Sequence, residues 1–261
     1  MRTIQLCLLL PIASALLRSP VTSNRPAVPQ RGPSRFFLDT AEVAEWEELL
    51  PLGIFHGVTT NPTLLERAGI ACTIEACRSL AATAGSLGAE EIMFQAWGNS
   101  PGAMTETGLA LHSIEPARVT VKVPVTSDGT VAAAELIRRG VRVCMTACYS
   151  REQALVAAAV GAEYIAPYLG RMVDAGKDGL EECRAMQSIT DGLGSTTRIL
   201  VASIREPVSL GALASSGLDT FTFSPPVARA LFDEPLTNDA AAEFELSAER
   251  GGAYSSFWGT P

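Results

Sequence analysis

Short runs of β-branched and aromatic residues alternate along the chain with longer stretches rich in Ala, Leu and Glu. Eight of the short runs predict strands, at residues 35–39, 56–60, 91–97, 119–125, 141–146, 164–168, 199–203 and 220–223. The stretches between them predict helices near 41–50, 62–68, 73–87, 101–113, 129–139, 151–160, 178–190, 206–216 and 225–232, with a last one near 238–249.

This regular alternation of strand and helix predicts parallel strand pairing and therefore an α/β fold. Eight strands in the 226 residues that follow position 35 suit a single-domain (β/α)8 TIM barrel, for which about 200–250 residues is usual. A doubly wound open sheet is the alternative, although no GxGxxG follows the first strand to support a dinucleotide-binding version. Residues 36–232 contain no linker, so we expect one domain with an extra C-terminal helix.

The first 35 residues differ from the rest because they carry five Arg and no acidic residue. Met1-Arg2, the apolar run 4–12 and Ala13-Ser14-Ala15 together are typical of a signal peptide, and 16–35 resembles a transit segment. We therefore expect a cleavable targeting leader over 1–35 and a protein sent to a plastid through the secretory pathway. The alternative is a disordered tail on a cytoplasmic enzyme.

Charge and hydrophobicity exclude several classes of protein. The chain is 47% hydrophobic and 18% charged, which is too apolar for a disordered protein. Twenty basic residues face 28 acidic ones, and without residues 1–35 the net charge falls from −8 to −13, which argues against nucleic-acid binding. No apolar run approaches about 20 residues, so the mature form is not expected to span a membrane. Eighteen of the basic residues are Arg, and the only lysines are Lys122 and Lys177.

The cysteines predict free thiols rather than a metal centre. No CxxC pair occurs, and neither His56 nor His112 stands at metal-ligand spacing to a cysteine. We therefore expect no metal, free buried thiols and a reducing compartment. The six cysteines are Cys7, Cys72, Cys77, Cys144, Cys148 and Cys183.

Lys122 is the sharpest chemical signal in the sequence. Side chains alternate along a strand, so Thr120 and Lys122 would point into the barrel while the neighbouring valines pack outwards. Desolvation in a barrel interior favours the neutral amine, which attacks carbonyl groups to form a Schiff base. An arginine would stay protonated and could not serve. The alternative is a structural lysine whose ammonium reaches solvent at the strand edge.

Other polar residues end the remaining strands, where a barrel carries its function. Asp39 could simply cap the first helix, and Asn61 before Pro62 suits a turn or a helix start. Arg171 and Ser203-Ile204-Arg205 stand at the ends of strands six and seven, the usual place of a phosphate site in barrels, although they could be surface charge with a helix cap.

With these residues the chain resembles the transaldolase family of class I Schiff-base aldolases, and within it the fructose-6-phosphate aldolase-like branch. The resemblance extends from about residue 36 to 244. It rests on ordered motifs: FLDT at 37–40, GVTTNP at 57–62, VKVPVT at 121–126 with DG at 128–129, QAL at 153–155, GAEYIAPYLGR at 161–171 and ASIR at 202–205.

The resemblance implies a role for each matching residue and no metal or organic cofactor. The expected roles are the Schiff base for Lys122, contact with the ketose hydroxyls for Asp39, Thr60 and Asn61, a proton-shuttling water held by Gln95, Thr146 and Tyr168, and the sugar phosphate for Arg171, Ser203 and Arg205. Small-molecule sugar phosphates are the expected partners. The helix near 238–249, with Phe244 and Leu246, matches one that packs on neighbouring subunits, so we expect a homo-oligomer, a pentamer or decamer.

The branch of the family determines the expected reaction. Transaldolases proper resemble one another in having Glu at the position of Gln95 and Phe at that of Tyr168. Because Gln95 cannot ionise, Tyr168 with a water would do the acid–base work. We therefore expect reversible cleavage of fructose 6-phosphate into dihydroxyacetone and glyceraldehyde 3-phosphate. The alternatives are a transaldolase and, more remotely, a non-catalytic barrel; an isomerase would need a Glu base at a strand end, which we do not find.

Overall fold

The computed structural model of the protein describes residues 34–253. Within them, eight parallel strands close into one barrel in sequence order, with the last strand pairing with the first. This confirms the predicted (β/α)8 architecture. The strands are β1 (Arg35–Asp39), β2 (Phe55–Thr59), β3 (Glu91–Gln95), β4 (Val119–Pro124), β5 (Val143–Cys148), β6 (Tyr164–Pro167), β7 (Arg198–Ile204) and β8 (Thr220–Phe223).

Eleven α-helices in the described part of the chain connect and flank these strands, and a short 3-10 turn (Leu50–Leu52) follows the first helix. The helices are α1 (Val43–Leu49), α2 (Pro62–Arg67), α3 (Ile74–Ser86), α4 (Pro101–His112), α5 (Ser127–Arg138), α6 (Gln153–Val160), α7 (Leu169–Asp174), α8 (Gly179–Gly192), α9 (Pro207–Ala214), α10 (Pro225–Ala230) and α11 (Pro235–Arg250).

The sequence pattern did not predict α7, which follows β6 directly. The helix has only six residues, and its second residue, Gly170, is a poor helix former. Packing explains the glycine, because a Cβ at Gly170 would lie 2.5 Å from the carbonyl oxygen of Ser203. Two helices, α7 and α8, therefore separate β6 from β7.

The two faces of the strands build two cores. Outward-facing residues such as Val119, Val121 and Val123 belong to the large core that the helices cover. Inward-facing residues form a second, smaller cluster at the middle of the barrel: Phe37, Met93, Cys144, Tyr164, Ala166 and Leu200. Thr120 and Lys122 face inwards, as predicted. The hydroxyl of Thr120 donates a hydrogen bond to the buried Glu91, and the side chain of Lys122 lines the cavity described below.

The amino end of the barrel holds a network of charged side chains around Glu91, whose side chain is 1% exposed. Arg35 begins β1 and donates to Glu163 at 2.9 Å and to the hydroxyl of Tyr164, so this last residue of the predicted leader is part of the barrel. Residues 1–33 of the predicted leader lie outside the described residues.

The cysteines in the described part of the chain are free. Cys72 is exposed in the loop before α3, contrary to the expectation of burial, whereas Cys77, Cys144, Cys148 and Cys183 are buried as predicted. Cys7 lies outside the described residues. Burial raises the pKa of each of the four buried thiols to about 12, so they stay protonated at neutral pH. Among the described helices, none has both the length and the apolar character needed to cross a membrane.

Candidate active site

A cavity of about 360 Å³ opens at the carboxyl ends of the strands, where barrels carry their function. Seven of the ten predicted site residues line it. The full lining is Asp39, Asn61, Pro62, Thr63, Leu64, Arg67, Gln95, Lys122, Ala147, Tyr149, Tyr168, Arg171, Ala202 and Ser203.

Lys122 lies on β4 and is 3% exposed. Its Nζ donates to the carbonyl oxygen of Thr60 at 3.1 Å, and no carboxylate forms an ion pair with it among residues 34–253. Cys144 pairs in register with Lys122 on β5. Burial raises the pKa of the Cys144 thiol to about 12 although Lys122 opposes the shift, so the thiol does not compete as a nucleophile. The wall of the cavity therefore presents a lysine amine that has no carboxylate partner in the described chain.

Asp39 ends β1 with its carboxylate at the cavity. Its Oδ1 accepts a hydrogen bond of 2.7 Å from the hydroxyl of Thr59, which lies 2.5 Å from the hydroxyl of Thr222. Asp39 does not cap α1, because that helix begins at Val43 and its preceding turn is held by Thr40 instead. Sequence reasoning missed Thr59 and Thr222; their inward register on β2 and β8 was the available signal.

Asn61 and Thr60 follow β2 and have different surroundings. The Oδ1 of Asn61 accepts from the backbone N–H of Leu64 at 3.1 Å, so Asn61 is the N-cap of α2 and also lines the cavity. Thr60 is fully buried, and its hydroxyl donates to the carbonyl of Met93 at 3.0 Å. The side chain of Thr60 therefore supports the strand, and its carbonyl oxygen holds Lys122.

Tyr168 and Thr146 meet through their hydroxyl oxygens, 3.1 Å apart, beside Gln95 in the same cavity. Thr146 is fully buried and does not itself line the cavity. Tyr149, a lining residue that sequence reasoning missed, packs edge-to-face on Tyr168 with ring centroids 5.6 Å apart. The cavity thus presents uncharged hydrogen-bonding groups beside the lysine.

The three predicted phosphate ligands separate into two groups. Arg171 lines the cavity with its guanidinium 5.3 Å from the centre of the Tyr168 ring, and Ser203 lines it as well. Arg205 does not line the cavity; it is exposed and pairs through two hydrogen bonds with Asp174 of α7, one of them 2.7 Å long. Hydrogen bonding from Arg205 lowers the pKa of the Asp174 carboxyl.

Ala147 and Ser203 have left-handed backbones, with φ of 57° and 58°. They are the only non-glycine residues of the described chain with positive φ, and both line the cavity. Each lies where the pairing register of its strand shifts, in β5 and β7. Such conformations cost about 1–3 kcal/mol each and persist where the surrounding structure holds them, often at functional sites.

The charged residues of the cavity are mostly basic, although the chain as a whole is acidic. Arg67, Lys122 and Arg171 line it against a single acidic residue, Asp39. Local fields of this kind attract small anions even when the net charge of the protein is negative.

Solved structures of low sequence identity share the fold alone. A mutant flavocytochrome b2 with benzoylformate matches at a TM-score of 0.54 and 13% identity, over 73% of this chain and 57% of that one. A mutant mandelate oxidase matches at 0.51 and 13% identity, over 74% of this chain and 65% of that one. This chain thus spans somewhat less than two thirds of the length of either protein.

Sequence comparison identifies the family. The chain is 36% identical over 218 residues to a probable transaldolase of Hyphomonas neptunium, covering 84% of this chain and 98% of that protein. It is 37% identical over 221 residues to a probable transaldolase of Cereibacter sphaeroides, covering 84% and 97%. The family model of Transaldolase/Fructose-6-phosphate aldolase matches residues 36–254. The chain therefore belongs to the transaldolase/fructose-6-phosphate aldolase family.

Proposed function

We propose that the protein is a Schiff-base aldol enzyme that reversibly cleaves fructose 6-phosphate, or a similar ketose, into dihydroxyacetone and glyceraldehyde 3-phosphate. The observation that carries this proposal is Lys122, a buried lysine without a carboxylate partner in the described chain, on the wall of a cavity that also holds Arg171. Such a lysine suits covalent chemistry with a carbonyl group. The guanidinium of Arg171, which forms no ion pair with a carboxylate of the described chain, suits the phosphate.

The reaction would proceed in balanced steps. The amine of Lys122 attacks C2 of the ketose, and loss of water leaves an iminium ion. The C4 hydroxyl gives up its proton, the C3–C4 bond breaks, and the electron pair moves into the iminium to form an enamine as the aldehyde leaves. Protonation at C3 and hydrolysis release dihydroxyacetone and restore the amine. Tyr168, with a water, would carry the proton, and Asp39 and Asn61 would hold the ketose hydroxyls.

The second candidate is a transaldolase, which the names of the curated relatives favour. The two reactions share every step up to the enamine and differ in whether an acceptor aldose phosphate or a proton reacts with it. The experiment is a product assay on fructose 6-phosphate with and without erythrose 4-phosphate. Release of free dihydroxyacetone without acceptor supports the lyase, whereas strict dependence on the acceptor identifies the transferase and overturns the first proposal.

Replacing Tyr168 by phenylalanine should lower kcat for the cleavage by about 10²–10⁴-fold, because it removes the hydroxyl that would carry the proton. KM should change little, since the ring beneath Arg171 remains. Tyr149→Phe is the matched control, because that ring lines the same cavity and packs on Tyr168. Equal losses in the two variants, measured by steady-state kinetics, would contradict the proton-transfer role.

We also propose that the protein assembles with copies of itself through α11. This helix of 16 residues buries none of them, and it exposes Leu236 (78%), Phe244 (72%) and Leu246 (50%). Exposed apolar residues on an otherwise unpacked helix are characteristic of an interaction surface. Mass determination in solution should give a homo-oligomer, a pentamer or decamer, and Phe244→Glu should reduce the assembly. A monomeric mass for the native chain would refute this proposal.

A further inference from the structure

Arg67 is a cationic residue of the cavity that no step above uses. It is the last residue of α2, its side chain is exposed, and it lines the same cavity as Lys122 and Arg171. A cation is favoured at a helix C-terminus in any case. That preference accounts for a basic residue at this position and does not explain why the side chain lines the cavity.

The two arginines of the cavity, Arg67 and Arg171, differ from most arginines of the described chain in having no carboxylate partner within it. Ten of the fourteen arginines in residues 34–253 form an ion pair with a carboxylate. Neither of the two arginines that line the cavity does so within those residues. On a chain with 28 acidic residues, both guanidinium groups at the cavity are therefore left available for an external anion.

The barrel places these two arginines on opposite sides of Lys122. Arg67 follows β2 and Arg171 follows β6, and these strands are four places apart in a closed barrel of eight. Lys122 lies on β4, two places from each. A sugar chain whose C2 carbonyl is at Lys122 and whose C6 phosphate is at Arg171 therefore directs its C1 end towards the side of Arg67.

We propose that Arg67 forms a second anion subsite, so that the cavity accepts open-chain sugars with an anionic group at both ends. This inference rests on the proposed function for the position of the carbonyl at Lys122 and of the first phosphate at Arg171. The planar guanidinium suits a phosphoryl group or a carboxylate at C1, since it binds either through paired hydrogen bonds. Asp39, the one acidic residue of the lining, ends the neighbouring strand β1 and already accepts a hydrogen bond from Thr59.

The test measures equilibrium binding of three six-carbon probes that have no C2 carbonyl and cannot react with Lys122. These are glucitol 6-phosphate, with one anionic end, 6-phosphogluconate, with a carboxylate at C1, and glucitol 1,6-bisphosphate. We expect the native protein to bind the bisphosphate about tenfold more tightly than the monophosphate, as one charge-assisted contact would give. Arg67→Gln should remove this preference and leave the affinity for glucitol 6-phosphate unchanged.

Arg78→Gln is the matched control, because Arg78 is an exposed arginine of α3 without a carboxylate partner in the described chain and outside the cavity. It removes the same charge and should preserve the preference. Tight binding of 6-phosphogluconate as well would extend the subsite to carboxylates, and tight binding of the bisphosphate alone would restrict it to phosphoryl groups. Equal binding of all three probes by the native protein, or a preference that survives Arg67→Gln, would overturn the inference. If none of the three probes binds, both the subsite at Arg67 and the phosphate site at Arg171 are refuted. The reaction of Lys122 with a ketose is measured in a separate experiment, so that part of the proposed function is judged independently.

Discussion

Replacing Lys122 by arginine is expected to abolish aldol chemistry, with kcat falling by about a thousandfold or more. The guanidinium keeps the positive charge of the site but stays protonated, so it cannot attack a carbonyl carbon. Borohydride reduction in the presence of fructose 6-phosphate should trap a covalent adduct at Lys122 in the native protein and none in the variant. Peptide mass spectrometry of the reduced protein measures both results.

The second lysine of the chain supplies the matched control. Lys177 is exposed, and its Nζ donates to the backbone carbonyl of Tyr149 at 2.7 Å, so Lys177→Arg should retain activity and the adduct. Because arginine is larger than lysine, Lys122→Met serves as a second variant that removes the amine without enlarging the side chain. Wild-type activity in either Lys122 variant, or trapping at Lys177 instead, would show that Lys122 does not form the Schiff base.

The fold was predictable because each strand is a short run with a strong periodic pattern. The direction of Lys122 followed from alternation along β4, since Val121 and Val123 belong to the outer core and Lys122 faces the cavity. Alternation is a local property of the backbone, and a sequence displays it directly. The positions of Asp39, Gln95 and Tyr168 at or just after the carboxyl ends of strands were also predictable, because the short apolar runs indicate where each strand ends.

The surroundings of Arg205 could not be predicted, and the reason is α7. Its partner Asp174 is the last residue of that short helix, which the sequence pattern missed. Without the helix, nothing in the sequence suggested a carboxylate near Arg205. The left-handed backbones of Ala147 and Ser203 were equally hidden, because they depend on shifts in the pairing register between neighbouring strands, which a local sequence pattern does not display.

In the structure, both lysines of the described chain contact the cavity, one directly and one through another residue. Lys122 lines the cavity, and Lys177 holds the backbone of Tyr149, which lines the same cavity. Both lysines stood out in the sequence because they are rare, but the sequence pattern indicated a role only for Lys122. The contact of Lys177 joins the loop before α8 to the loop after β5, and only the folded chain brings these together.

We expect Glu91, at the amino end of the barrel, to contribute strongly to the stability of the fold. Its carboxylate accepts from Thr120 at 2.7 Å and from Arg142 at 3.1 Å. The hydroxyl of Tyr164 donates to it at 3.0 Å, and the Nε2 of His56 lies 3.3 Å away. Removing one partner of a buried ion pair costs about 3–5 kcal/mol, because the other charge is left buried and unpaired.

We therefore expect Glu91→Ala to lower the free energy of unfolding by about 3 kcal/mol, the lower end of that range. Glu163 remains as a partner for Arg35 at 2.9 Å and for Arg142 at 3.8 Å, so the cations are not wholly deprived of a carboxylate. Glu90→Ala is the matched control: Glu90 also pairs with His56, at 3.3 Å, but its side chain is 78% exposed. Exposed pairs contribute about 0–1 kcal/mol. Urea denaturation at one fixed protein concentration compares the variants.

The contribution of Glu91 should also depend on pH in a defined direction. Burial alone would raise the pKa of its carboxyl, but hydrogen bonds from His56, Thr120 and Tyr164 and the charge of Arg142 outweigh burial and lower it. A carboxyl whose pKa is lower in the folded state stabilises the fold above its unfolded pKa, here 4.5, and loses that effect as pH falls through the folded value. The difference in unfolding free energy between the native protein and Glu91→Ala should therefore shrink as the pH falls below about 4.5. A difference that grows as the pH falls below about 4.5, or a loss no larger than that of Glu90→Ala, would show that the buried network does not stabilise the barrel in this way.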